Sequence, residues 1–215
     1  MRATGIKKKI TTTCPALAEY LVNMKTIQPL NKKDISVIGA ISKIVIGQML
    51  SRKAASTITH RVESLAAKED KCEIALLSEE EMRSCGISKS KAKAIKLFAE
   101  HYFNNEDQYE NWRNLDSARL FAEVNKHWGL SHWTASMLAI FYFGFEDVYP
   151  VNDGSIKRII SLLEQKGITF EPDKAAPYRS YLALYLWEML DQKFELTPLR
   201  MPTKPHSQKS VGGVP

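Results

Sequence analysis

His127-Trp128-Gly129-Leu130-Ser131-His132-Trp133-Thr134-Ala135 joins two helical stretches through a turn of only a few residues. A turn that tight needs a residue free to take positive φ, and Gly129 supplies it. The amides that open the second helix have no partner within that helix. The positive end of the helix dipole stands behind them. A phosphate can accept from such amides without any reading of base sequence. The same spacing also fits an ordinary corner between two helices with Ser131 as the N-cap. On its own it leaves both readings open.

Working outward, the segments on either side carry helical periodicity. Val37–Leu50 places apolar residues at 37, 38, 41, 44, 45, 46, 49 and 50, a broad helical face, with Asn31 and Asp34 offering a cap. Ala54–Leu65 continues with Ile58, Val62 and Leu65 at helical spacing. Ser78 with Glu81 predicts a capping box for a short helix ending near Gly86. Ser90–Phe103, Ser117–Trp128 behind Asp116, Trp133–Phe143, Gly154–Lys166 and Tyr178–Leu190 complete the series. No stretch alternates as a strand would, and the body shows no repeat. The expectation is an all-α fold of about nine or ten helices, arranged as a two-lobed bundle with the active site between the lobes. Residues 37–145 would form the lobe with the hairpin, and 1–36 with 146–194 the second. Residues 195–215, rich in proline and basic, read as a disordered tail.

Beyond the apolar helix comes Val148-Tyr149-Pro150-Val151-Asn152-Asp153. Pro150 ends regular structure, and Asp153 precedes the next helix. An Asp there caps the helix, and it can also face a substrate from the edge of a cleft. Glu146, Asp147, Glu188 and Asp191 read as solvated. Arg179 fits either a DNA-facing role or an internal ion pair. Lys157 and Arg158 are candidates for backbone contacts.

The formal charge of +6 and a pI near 9.1 favour an anionic partner, nucleic acid above all. No apolar run approaches the roughly 20 residues a membrane helix needs. The lysines at 7–9 lead into threonines rather than an apolar core, which does not read as a secretory signal. Cys14, Cys72 and Cys85 lack C-x-x-C spacing, so neither zinc nor an iron–sulfur cluster is expected, and reduced thiols are.

The hairpin followed by Val148–Asp153 resembles the signature of the helix–hairpin–helix DNA glycosylase superfamily. Three further stretches resemble its 3-methyladenine DNA glycosylase II family. They are Ile46-Gly47-Gln48-Met49-Leu50-Ser51 with Lys53-Ala54-Ala55, Cys85-Gly86-Ile87-Ser88 with Lys91-Ala92, and Pro177-Tyr178-Arg179-Ser180-Tyr181 through Tyr185-Leu186-Trp187. Together they cover about residues 37–190 in the family's order. The chain departs from the pattern at Ser131, where a second glycine is usual, and at Trp133, where strand-cleaving relatives carry a lysine. It looks like a compact member without the N-terminal β-domain or the iron–sulfur loop.

The resemblance implies a monofunctional enzyme of base excision repair that removes alkylated purines from double-stranded DNA, with no cofactor and no metal. Asp153 would be catalytic. Trp133, Trp187 and Met137 would form the base pocket. Gly129, Leu130, Ser131, His132 and Thr134 would form the DNA-binding hairpin. Met49, Gln48 or Leu50 would wedge into the duplex, Met49 first, although Met49, Leu50 and both tryptophans also fit plain core positions. A monomer is expected, with no membrane association, nucleoid-associated in a bacterial cytoplasm or nuclear in a eukaryote. A different base specificity (uracil, hypoxanthine or an oxidised purine) and a non-catalytic DNA-binding module are the competing readings.

Overall fold

Serine and aspartate side chains set where most of the helices begin. The computed structural model describes residues 3–192, and the expected tail at 195–215 lies outside them. Among the described residues there are eleven α-helices and no strand. They are α1 (Ala3–Thr13), α2 (Ala18–Val22), α3 (Val37–Gly47), α4 (Arg52–Lys68), α5 (Glu79–Ser84), α6 (Lys89–Asn104), α7 (Glu106–Glu110), α8 (Ser117–Val124), α9 (His132–Phe141), α10 (Gly154–Glu164) and α11 (Arg179–Asp191). Ser36, Ser51, Ser88, Asp116 and Asp153 each accept from the amide three residues on. Ser78 and Glu81 make the predicted capping box.

Three boundaries differ from the sequence-based expectation. The cap of α3 is Ser36, not Asn31 or Asp34. That helix stops at Gly47 because Gln48 turns extended and Met49 takes φ 56°. Helix α8 ends at Val124 rather than Trp128. The N-terminal helices α1 and α2 and the short α7 were not expected. Helix α1 is basic and threonine-rich, and only Ile6 and Ile10 mark its buried face.

Two apolar cores result. Residues from Val37 to Val148 build the first, around an α3 that is buried on nearly every side and packs against α4, α6 and α9. Residues of α1, α2, α10 and α11 build the second. Trp187 packs against both. Full burial of one such aliphatic side chain contributes about 1.5–3 kcal/mol.

The structure also shows a repeat that the sequence hides. Gly86-Ile87-Ser88 links α5 to α6 as Gly129-Leu130-Ser131 links α8 to α9. Both glycines have positive φ, 102° and 78°. Ile87 and Leu130 are both buried, and both serines stand at N-cap positions. Ala92 and Ala135, at matching places in the next helix, are both fully buried.

His127, just before the second hairpin, sits in an aromatic cage. Its ring meets Phe98 edge-on at 5.0 Å, with Tyr109 at 5.5 Å and Trp112 at 5.7 Å. Burial, and then the neighbouring His101, push its pKa below the ordinary 6.5. The fold thus keeps His127 neutral. Its contribution is intact above the unfolded value and is lost as pH falls through the lower folded value. We expect the urea midpoint to drop as pH falls below about 6.5. His127→Phe should flatten that drop, and denaturation curves across the range will show whether it does.

Candidate active site

A cavity of about 660 Å³ opens where the loop after α3, the α8–α9 hairpin and the start of α10 converge. Its lining includes Gln48, Met49, Gly129, Ser131, Trp133 and Asp153. Residues from three separate stretches of the sequence thus meet at one wall. Asn152, Ser155 and Arg158 line it too. Arg158 was anticipated near DNA, whereas Asn152 and Ser155 carried no sequence signal beyond adjacency to Asp153.

Asp153 is the fixed point. Its residue is only 7% exposed. As N-cap of α10 it accepts from the Ile156 amide on Oδ1 at 2.9 Å. Trp187 Nε1 donates to the same oxygen at 2.9 Å, and Trp133 Nε1 donates to Oδ2 at 2.7 Å. Three N–H donors from three elements leave the carboxylate little rotational freedom. Trp133 lines the cavity. Trp187 does not; it stacks on Phe141 at 5.6 Å and reaches Asp153 from behind. Met137, expected in the pocket, lies one turn further along α9 and is buried in the first core.

The loop before Asp153 is clamped by the start of α11. Ser180, fully buried, donates to Phe145 O at 2.7 Å and accepts from the Val148 amide at 2.9 Å. Arg179 forks onto both oxygens of Asp147, at 2.8 and 3.0 Å, and reaches Asp173 at 2.9 Å. Its guanidinium holds the Asp147 carboxyl below the usual carboxylate range. Tyr181 donates to Glu146 at 2.7 Å. Arg179 therefore makes an internal ion pair, and Asp147 is a half-buried loop anchor; Glu146 also ties the loop but stays exposed, as expected. Asp191 is exposed, as expected, and pairs with Arg52 at the surface.

The hairpin is built by Gly129. Its φ is 78°, and a Cβ there would stand 2.7 Å from the Ala94 Cβ. Only glycine satisfies both the turn and the approach to α6. Ser131 has φ −137° and ψ 175°, an extended conformation open to any residue, so it does not strain the loop. Two expected DNA contacts turn inward instead. The Leu130 side chain is 7% exposed and joins the first core. Thr134 is fully buried, and its hydroxyl accepts from the Ser131 amide at 3.2 Å. His132 remains on the surface, beside Phe121.

Of the three wedge candidates, Gln48 is committed elsewhere. Its Nε2 donates to Gly129 O at 3.3 Å and Thr134 Oγ1 at 3.4 Å. Leu50 is 38% exposed. Met49 is fully exposed, in a left-handed conformation unfavourable for any residue but glycine. Met49 thus presents a large apolar side chain to water, on a strained backbone, at the rim of the cavity.

Comparison with known proteins agrees with this geometry. The family model described as "HhH-GPD superfamily base excision DNA repair protein" matches residues 42–175. DNA-3-methyladenine glycosylase 1 of Schizosaccharomyces pombe is 29% identical over 183 residues, covering 80% of this chain and 79% of that protein. The structure of the S. pombe 3-methyladenine DNA glycosylase in complex with abasic DNA superposes with a TM-score of 0.73 at 22% identity, covering 87% of this chain and 97% of that one. A DNA-3-methyladenine glycosidase from Bacillus halodurans gives a TM-score of 0.62 at 25% identity, covering 85% and 87%. With the matched segment spanning both the hairpin and Asp153, the chain belongs to the HhH-GPD superfamily of base excision DNA repair proteins.

Proposed function

We propose that the protein is a monofunctional DNA glycosylase that hydrolyses the N-glycosidic bond of alkylated purines, of the 3-methyladenine kind, in double-stranded DNA. The observation that carries this is Asp153, buried at the cavity wall and aimed by two indole N–H groups and one backbone amide. A module that only binds DNA has no use for a fixed carboxylate beside an anionic ligand. An enzyme that builds positive charge at C1′ does. Base release and nuclear or nucleoid location follow from the family's work on DNA.

The residues divide the work. The first amides of α9, at His132 and Trp133, hold a phosphate and set the register. Met49 fills the gap left when the nucleotide swings out, at a cost of a few kcal/mol that is least for a poorly stacked damaged base. Trp133 offers an aromatic face to an electron-poor, cationic purine. Asp153 stabilises the oxocarbenium character of the sugar as the bond breaks and orients the attacking water. A cationic base leaves readily, so one carboxylate suffices. No lysine of the described residues lines the cavity, which supports base removal without a Schiff base or strand cleavage.

The lesion class rests on the names of the similar proteins together with the indole in the cavity. Duplexes carrying a single alkylated purine, uracil, hypoxanthine or oxidised purine test it. We expect the alkylated purine to be released fastest, with strands staying intact until alkali is added. Preference for another lesion would overturn the lesion class, and scission without alkali would overturn the monofunctional reading.

A further inference from the structure

We propose that Lys91 is a positioning residue that holds Met49 in the conformation that enters DNA. The proposal rests on the reading of Met49 as the residue that fills the gap.

Helix α3 ends at Gly47, where its last carbonyls have no partner within the helix and carry the negative end of the dipole. Lys91 Nζ donates to two of the carbonyls in this turn, Ile46 O at 2.9 Å and Gln48 O at 2.6 Å. The Leu50 amide closes the same turn on Gly47 O at 3.2 Å. Both carbonyls, two residues apart, are thereby drawn to one ammonium. That orients the peptide between Gln48 and Met49, the unit that sets Met49 at φ 56°. Without such a fastening, a non-glycine residue relaxes out of this region. The Lys91 side chain is partly buried in making the contact, and that burial lowers its pKa.

Lys91 arrives there through the first hairpin. Ser88, the N-cap after Gly86-Ile87, accepts from the Lys91 amide at 3.4 Å and so starts α6 beneath the Met49 turn. The second hairpin fastens the other side of that turn through Gln48, which donates to Gly129 O and Thr134 Oγ1. The strained tip is thus held between the two hairpins, and Lys91 supplies the charged half of the clamp. A lysine serving only to end α3 would support stability and leave insertion into DNA untouched.

The test uses the full chain and a duplex with 2-aminopurine opposite a tetrahydrofuran abasic site. Insertion of Met49 unstacks the 2-aminopurine and raises its fluorescence. We expect the rise at saturating protein with the parent and its loss in Met49→Ala. In Lys91→Met the inserted population should fall about tenfold, the scale of one charge-assisted hydrogen bond. Lys91→Arg should restore it, and Lys91→Met added to Met49→Ala should cause no further loss. The dependence of affinity on salt should be unchanged in Lys91→Met, because the amine faces carbonyls rather than phosphate. Should Lys91→Met fail to fold, Lys91→Gln, which keeps an N–H donor, is expected to fall between parent and Met49→Ala. Parent-level fluorescence in Lys91→Met or Lys91→Gln overturns the proposal. So does a salt slope shallower by about one, which would make Lys91 a phosphate contact. Equal fluorescence in parent and Met49→Ala would instead overturn the role of Met49, and Lys91's role would fall with it.

Discussion

Asp153→Asn should lower base release by about 10³-fold while leaving affinity for duplex DNA within roughly twofold. The side chains are nearly the same shape, and asparagine is as good an N-cap as aspartate, so α10 should keep its start. What changes is charge and hydrogen-bond sense. The parent carboxylate accepts on both oxygens, from Trp187 and Ile156 on one and Trp133 on the other. An amide offers one acceptor oxygen and one donor nitrogen. One indole N–H must then face another donor, and no anion remains to oppose positive charge at C1′. Binding depends on the hairpin amides and surface charge, which the substitution does not touch. Single-turnover release at saturating protein, set beside a binding curve on undamaged duplex, separates the two quantities. Retained release would remove Asp153 from the chemistry. Lost binding would make it a structural residue.

Gly129→Ala should be the most damaging single change in the hairpin. The residue has φ 78°, and the new methyl would lie 2.7 Å from the Ala94 Cβ on α6. The first effect strains the backbone, and the second forces α6 and the hairpin apart. Together they should cost about 2–3 kcal/mol, or roughly 4–12 °C in Tm for a chain of this size. The same displacement moves the Gly129 carbonyl that accepts from Gln48 and the first amides of α9. Duplex affinity should therefore fall as well, by about tenfold or more. Ser131→Gly is the control. Position 131 is already extended, so restoring the family's usual glycine should raise neither stability nor affinity appreciably. Thermal melts and salt titrations of both variants decide the matter. An unchanged Gly129→Ala would mean that the hairpin does not depend on this turn.

Much of this was legible in the sequence because it is local. Periodicity and caps marked the helices from α3 onward except the five-residue α7, Gly129 marked the turn, and an Asp before a helix marked a cap. The features missed are those that depend on what comes near in space. Arg179 and Asp147 lie 32 residues apart, and nothing in either segment announces their pairing. Gln48 and Met49 are neighbours, yet one faces the hairpin and the other faces water because the backbone reverses between them. Met137 shares a helical face with Trp133, but one turn of rise along α9 moves it from cavity wall to core. The twin of the hairpin at Gly86-Ile87-Ser88 escaped notice because three short residues are too little to stand out. Gly, Ser and the following Ala recur in both, but only the shared geometry shows them to be the same turn. Only Ile6 and Ile10 mark the buried face of α1, the helix that completes the second core.

The central claim is that water, steered by Asp153 and not an amine of the protein, displaces a damaged base at C1′. Parent protein incubated with a methylated duplex, with borohydride added during turnover and products read by mass spectrometry, tests it most directly. The account predicts free methylated purine, an intact abasic strand and no trapped protein–DNA adduct. Asp153→Asn should give neither free purine nor abasic strand on the same timescale. A protein–DNA adduct trapped by borohydride during turnover, or equal release by Asp153→Asn, would contradict it.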